Sequence, residues 1–431
     1  MVKRILFILL LSLSAIYAAD AQTGTWSGKL DVQGTELSLV FHLDEEPSVD
    51  SPDQGVKGIP VEVERPGIGK ILIRIPSLAA SYEGQWMINR IVGTFTQMNA
   101  SFPMTLSPGD DRPGRPQTPA GPFPYTAEEV SFTDGNVVLN GTLTLPEEYT
   151  HQTPVLVMVT GSGIQNRDSE IFDHRPFAVM ADALARAGIA SLRYDDRGFG
   201  GYDGNINDCT TEDFKNDALA AIDFLRKRFD KVGVLGHSEG GTIALMIAAE
   251  QKADFIVSLA GMTVSGAETL VGQNRSTLAG LGFSEDVVNS YCSLLQKAFD
   301  VRTHGGRMPD PEAYGIPESL MQNYWAVVAQ IQTPYMIYFL SLDMRPLLGQ
   351  IRCPVLALNG TKDIQVEHEA NLGALRDLLP ANSESMIVSV EGLNHLFQHC
   401  ETGEVTEYRK IEETISPDVL DMMIRWLSGL R

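Results

Sequence analysis

Ser238 lies in the run Gly236-His237-Ser238-Glu239-Gly240, between the apolar stretch Val232 to Leu235 and the Ala- and Ile-rich stretch Thr242 to Met246. A Gly-x-Ser-x-Gly pentad between a strand and a helix is the setting in which a serine is raised on a sharp turn as a nucleophile. The glycines answer a shortage of space. The serine takes a strained backbone at the tip of the turn, and strand and helix pass too close for side chains at 236 and 240. The chemistry this suggests is acyl transfer. A serine hydroxyl becomes a competent nucleophile when a base removes its proton, and the usual base is a histidine held in one tautomer by a carboxylate.

Two later turns offer those partners. The apolar run Pro354 to Asn359 is followed by Gly360-Thr361-Lys362-Asp363, and Met386 to Val390 by Glu391-Gly392-Leu393-Asn394-His395. Each places its polar residue where a parallel strand ends, the edge at which such sheets carry their sites. The order Ser238, Asp363, His395 suits a serine–acid–histidine triad. The turn after Phe255 to Ala260 reads Gly261-Met262-Thr263 and has no carboxylate, which favours Asp363 over Glu367 or Glu369. Among eight histidines the nearest rival is His399. Its HxxxH spacing with His395 lacks the glutamate of a zinc helix, and it falls deeper in the following segment. His237 is expected to point away from the site. Backbone donors must hold the charge that develops on the substrate carbonyl. The amide of Glu239 is one. The loop Thr160-Gly161-Ser162-Gly163-Ile164-Gln165 supplies another, Ser162 first and Gly163 second. Gly-Ser-Gly also suits a phosphate loop, but neither G-x-G-x-x-G nor a Walker lysine is present. Arg167, Asp168, Asp173, His174 and Arg175, with Asp195, Asp196 and Arg197, read as an ion-pair network bracing the loop. The chemistry calls for no metal and no cofactor.

Residues 125–431 supply the elements that position these turns. A hairpin pattern around Asp134-Gly135 leads to the buried-strand run Pro154 to Val159. Helical spacing over Phe177 to Ala187, a strand at Ile189 to Tyr194 and a helix capped near Thr211 follow. Alternation of this kind predicts a mostly parallel sheet with helices on both sides. It breaks over residues 262–349, which are helical without a buried strand and rich in large apolar residues: Met321, Tyr324, Trp325, Val328, Ile331, Tyr335, Ile337, Tyr338 and Phe339. This predicts a helical cap, with a few of those residues lining an apolar pocket and most packing the cap itself. Residues 107–124 hold six prolines and three glycines, the composition of a linker. Residues 22–106 show period-two patterning, as at Leu37, Leu39, Phe41 and Leu43, and predict a small antiparallel β domain. A structural role is expected for it, with glycan binding through Trp26, Tyr82 or Trp86 as the alternative.

The net charge of −22 argues against nucleic acid and against anionic lipid. Lys3 and Arg4 precede the apolar run Ile5 to Leu11, and Ala19-Asp20-Ala21 offers a cleavage site, so residues 1–21 are expected to direct export to the periplasm or medium. No run is long enough for a membrane span. Cys209, Cys292, Cys353 and Cys400 lack metal-ligand spacing. Cys353, opening a strand, is expected to be a buried small hydrophobe.

GSGIQNRD, SLRYDDRG, GHSEGG, NGTKDIQV and GLNH, in this order, resemble the α/β-hydrolase superfamily. More narrowly, they are similar to bacterial exported carboxylesterases grouped with serine aminopeptidase-like hydrolases. The resemblance implies an α/β-hydrolase fold, with Ser238 as nucleophile, Asp363 as acid and His395 as base. It departs from the common His-Gly oxyanion motif, whose first position is Thr160 here. The expected activity is cleavage of a small carboxylic ester, an acylated sugar among the candidates, through an acyl-enzyme. A serine aminopeptidase is the alternative, with Glu285, Asp286, Asp310, Glu312 or Glu318 of the cap holding a free α-amine. A glycan- or acyl-binding surface protein without catalysis is a third reading. The oligomeric state is left open.

Overall fold

The computed structural model describes residues 23–430 apart from 33–34, 68, 88–89, 99, 111–112 and 200–203. The expected export segment lies outside the described residues. The chain divides into two units, Met1–Pro113 and Gly114–Arg431. Among the described residues no helix is long and apolar enough to cross a membrane.

The first unit is an antiparallel sheet of nine strands: β1 (Thr25–Val32), β2 (Thr35–His42), β3 (Ser48–Ser51), β4 (Val56–Pro60), β5 (Glu62–Gly67), β6 (Lys70–Ile75), β7 (Ala80–Trp86), β8 (Ile91–Gln97) and β9 (Ala100–Pro108). Their order is β4-β3-β2-β1-β9-β8-β7-β6-β5. The two edge strands are separated in sequence by Val61 alone, so the edges meet at that corner and the sheet must curl on itself. Curling gathers one face into a single core that includes Trp26, Phe41, Ile71, Ile73, Tyr82, Ile91 and Leu106. Tyr82 is fully buried, its hydroxyl between the carbonyls of Ile91 and Met104 at 3.0 and 3.2 Å. Trp26 is buried and packs edge-to-face on Trp86, ring centroids 4.8 Å apart. Trp26 and Tyr82 are core and Trp86 packs against it, so the alternative of a glycan platform built on them is not presented.

The second unit holds a sheet of eight strands. They are β10 (Thr126–Asp134), β11 (Val137–Leu145), β12 (Val155–Val159), β13 (Ala190–Tyr194), β14 (Val232–His237), β15 (Ile256–Leu259), β16 (Val355–Gly360) and β17 (Met386–Val390). The order is β10-β11-β13-β12-β14-β15-β16-β17. The hairpin β10–β11 joins antiparallel, and every pairing from β13 to β17 is parallel. Helices Thr211–Leu225, Glu239–Ala249 and His368–Leu378 cover one face, and Pro176–Arg186 and Pro417–Gly429 the other, each against its own apolar cluster. Between β15 and β16 the cap rises as helices Gly266–Gly280, Glu285–His304, Glu318–Gln330, Pro334–Ser341 and Arg345–Leu348. Tyr291, Leu294, Leu295, Phe299 and Tyr324 form a core of its own. Within the Pro-rich stretch, the Arg115 guanidinium donates to the carbonyls of Phe172, Arg409 and Ile411, and Gln117 spans Thr414 and Ile415. Cys353 is partly exposed rather than buried.

The elbow depends on missing side chains. A Cβ on Gly236 would lie 1.9 Å from the Gly240 carbonyl oxygen, and one on Gly240 would lie 2.1 Å from that of Val159. Ser238, between them, is held at φ 57°, ψ −121°. Gly236→Ala should therefore destabilise the protein by about 3 kcal/mol or more, at or beyond the usual cost of overpacking. Gly272→Ala, in a cap helix where a Cβ would meet nothing within 4 Å, should be neutral or slightly stabilising. Urea unfolding of the two variants checks the contrast.

Candidate active site

Three turns at the C-terminal edge of the parallel strands come together around one cavity of about 490 Å³. Ser238 follows β14, Asp363 follows β16 and His395 follows β17. The His395 Nδ1 and Asp363 Oδ2 atoms are 2.7 Å apart, both residues buried. The other carboxylate oxygen, Oδ1, accepts the amides of Gln365 and Val366 at 2.8 and 2.9 Å. With Nδ1–H donated to Asp363, the imidazole keeps Nε2 as its free acceptor, the tautomer a general base requires. Ser238 and His395 both line the cavity.

The loop after β12 packs on Ser238. A Cβ on Gly161 would be 3.1 Å from that of Ser238. Ser162 lines the cavity, whereas Gly163, at φ 90°, does not. Glu239 opens the helix Glu239–Ala249, so its amide belongs to the first turn, whose N–H groups have no intrahelical partner. Asp196 clamps both ends of the loop, accepting the Thr160 hydroxyl at 2.7 Å and the Gln165 amide at 2.8 Å. Burial pushes its carboxyl up to about 7. The charges beyond the loop are tied to one another: Arg167 to Asp195 and Glu129, Arg193 to Asp168, and Arg197 to Asp217 and Asp134.

His237 corrects the sequence reading. It does not point away: it lines the cavity, its ring centroid 4.7 Å from that of His395. Its Nε2 is 2.8 Å from the His395 carbonyl oxygen. Burial, with the charge of His395 adding to it, pushes the His237 imidazole down to about 4, so it is neutral and donates to that carbonyl. His399 is exposed and pairs with Glu413. Of the large apolar residues singled out in the cap, Tyr335 and Phe339 line the cavity, Tyr324 and Ile331 pack the cap, and Trp325 is exposed. Met262, Leu270, Met336, Phe339 and Val366 make an apolar wall as one contiguous cluster. Gln165, Ser169, Glu170, Gln365 and Tyr408 supply polar lining that the sequence reading did not single out. Among the described residues, no group of three His, Cys, Asp or Glu side chains forms a metal site.

A mostly parallel sheet with an N-terminal antiparallel hairpin, a serine elbow after β14, and acid and histidine turns after β16 and β17 define an α/β-hydrolase. Residues 134–378 match the model of the X-Pro dipeptidyl-peptidase (S15) family, and the chain belongs to that family. Esterase EstD of Thermotoga maritima is 27% identical over 318 residues, 71% of this chain and 70% of that protein. Among solved structures, Est1E from Butyrivibrio proteoclasticus is similar at 16% identity, over 70% of this chain and 99% of that chain, with a TM-score of 0.40. Proline iminopeptidase of Mycobacterium smegmatis is similar at 15% identity, over 70% and 98%, with a TM-score of 0.43.

His174 latches the loop beyond the oxyanion site to the C-terminal segment. It is fully buried, with Nδ1 2.9 Å from the Thr414 hydroxyl and Nε2 2.9 Å from the Tyr408 carbonyl. Burial pushes its imidazole down to about 4 from an ordinary 6.5. The unfolded chain therefore takes the proton first. The His174 contribution to stability is complete above pH ~6.5 and is lost as pH falls toward ~4. Burial raises Asp196 and Asp217, to about 7 and about 6, and these titrate with the opposite sign. The signature is thus a difference: between pH 7.5 and 4.5 the wild type should lose on the order of 2 kcal/mol relative to His174→Gln. Urea unfolding of both proteins at the two pH values measures it.

Proposed function

We propose that this protein is a serine hydrolase that cleaves carboxylic esters through an acyl-enzyme. Ser238 Oγ attacks the ester carbonyl while His395 Nε2 takes its proton, and Asp363 holds the imidazole in register. The amides of Ser162 and Glu239 receive the oxyanion. His395 then gives the proton to the departing alcohol. A water, deprotonated in turn by His395, attacks the acyl-serine, releases the acid and restores Ser238. The observation that carries this reading is the Asp363–His395 bond of 2.7 Å beside Ser238 in one cavity. An ester is favoured by the contiguous apolar wall, and the naming of EstD as an esterase supports the choice.

Ser238→Ala should lower kcat on p-nitrophenyl acetate by ~10⁶ and Asp363→Asn by ~10⁴. A Ser238→Ala enzyme that still turned over the ester at the wild-type rate would end the assignment. Graded acyl esters, with acetylated sugars among them, would then rank the substrates.

One observation favours a second reading, a peptidase. The family is named for X-Pro dipeptidyl-peptidases, and Glu170 is a carboxylate that lines the cavity. It could hold a free α-amine, although Arg175 already pairs with it at 3.1 Å. Glu285, Asp286, Asp310, Glu312 and Glu318, the cap acids expected in that role, do not line the cavity. Under this reading X-Pro anilides outpace esters in kcat/KM, and Glu170→Gln raises KM for the anilides about tenfold, the scale of one lost charge-assisted contact. Under the ester reading the anilides are poor substrates of both forms. Export belongs to the proposal as well, and N-terminal sequencing of the mature protein should begin at Gln22.

A further inference from the structure

Glu239 has a side chain as well as an amide, and the two point to different neighbours. The side chain is only 2% exposed. A carboxylate enclosed in this way needs hydrogen-bond donors. It has two, one for each oxygen: the Thr211 hydroxyl donates to Oε1 at 2.6 Å, and the Tyr335 hydroxyl to Oε2 at 2.5 Å. Thr211 begins a helix packed on the sheet, whereas Tyr335 stands on the cap helix Pro334–Ser341, 96 residues away in sequence. Tyr335 also lines the cavity, together with Ser238 and Ser162. A cap residue thus reaches the side chain of one position assigned as an oxyanion donor.

We propose that Tyr335 is a positioning residue for the oxyanion site: by tying the Glu239 carboxylate to the cap, it fixes the orientation of the residue 239 amide and makes a seated cap a condition of acyl transfer. The inference rests on the serine-hydrolase reading above. Its physical basis is the strain at the elbow. Ser238 sits at φ 57°, ψ −121°, and such a backbone persists only where its surroundings over-determine it. The direction of the 239 N–H turns with the 238–239 peptide plane. Donors aimed at a transition state must be held within about 0.5 Å and 10–20° of their working geometry. Thr211 holds one side of the carboxylate from the body, and Tyr335 completes the hold from the cap.

The cap provides its own control. Tyr338, on the same helix, donates to Glu212 Oε2 at 2.9 Å, a bond of the same chemistry that does not reach the elbow. Tyr335→Phe and Tyr338→Phe each remove one phenolic hydroxyl between cap and body. A misdirected amide costs less than a deleted donor, which is worth about 10²–10³. On p-nitrophenyl acetate, too small to depend on the cap wall, Tyr335→Phe should lower kcat about tenfold with KM within about twofold, the pattern of an interaction made in the transition state. The rate of phosphonylation by a fluorophosphonate should fall in parallel. Tyr338→Phe should change neither rate, whatever either variant does to Tm. Should Tyr335→Phe fail to fold, Glu239→Met, of similar length but with no oxygen to accept the Tyr335 hydroxyl, removes the tie and is expected to give the same kcat loss. The proposal is overturned if the folded variant keeps wild-type kcat and labelling, or if the two phenylalanine variants behave alike. Wild type and Ser238→Ala run beside them separate the two levels: an inactive wild type sinks the hydrolase reading, and an active wild type with a normal Tyr335→Phe sinks only this one.

Discussion

Backbone packs directly on backbone where β14 turns into the helix Glu239–Ala249, and the surroundings of Ser238 follow from that contact. The Val159 carbonyl stands 2.1 Å from where a Cβ of Gly240 would be, and the Gly261 Cα stands 2.8 Å from that of Gly241. The segments after β12, β14 and β15 are pressed together where Gly240, Gly241 and Gly261 carry no side chains. This closeness puts Gly161 against Ser238, and with it the loop after β12. It also holds Ser238 in a conformation that costs about 1–3 kcal/mol on its own.

The acid and the histidine are held by the same economy of space. A Cβ on Gly360 would lie 2.1 Å from the Leu393 carbonyl oxygen, so the turns after β16 and β17 lie on each other. Backbone bonds fix them there: the Lys362 amide donates to Leu393 and the Thr361 amide to Val390. Asn394 shapes the histidine turn by accepting the amides of Leu396 and Gln398 on its Oδ1. His237 then anchors the His395 carbonyl from the elbow side. Each side chain at the centre is thus set by its neighbours' main chain, which reorganises less readily than side chains do.

This division explains what could be read from the sequence. The placement of Ser238, Asp363 and His395 was legible because each follows a short apolar run at a turn, a local pattern that the parallel sheet turns into a common edge. The parallel sheet, the antiparallel hairpin and the cap were legible from periodicity for the same reason. His237 was misread because an elbow's second position has no fixed direction in the sequence. Its ring is drawn in by the His395 carbonyl, 158 residues away. Period-two alternation named the faces of the N-terminal strands but not which face would close, so Trp26 and Tyr82 looked available until curling enclosed them. Arg115 and Gln117 carried no signal within their Pro-rich surroundings. Apart from the Phe172 carbonyl bonded to Arg115, the partners named for them are main-chain carbonyls and amides nearly 300 residues on. Glu170, Gln365 and Tyr408 were hidden in the same way, being polar residues of loops whose meeting is a property of the fold.

The cap enters the chain between β15 and β16, after the nucleophile's strand and before the acid's. Its core of Tyr291, Leu294, Leu295, Phe299 and Tyr324 is separate from the clusters that cover the sheet. Near the site it contributes Leu270, Met336 and Phe339 to the apolar wall. It makes polar ties at Tyr335, to Glu239, and at Gln273, whose side chain donates to the Gln365 carbonyl two residues past the acid. Such an insertion can change the wall without disturbing the sheet, because its packing is its own. It cannot change Tyr335 or Gln273 as freely, since each is bonded to a turn that carries a site residue. Wall and ties therefore draw on different residues of the same helices.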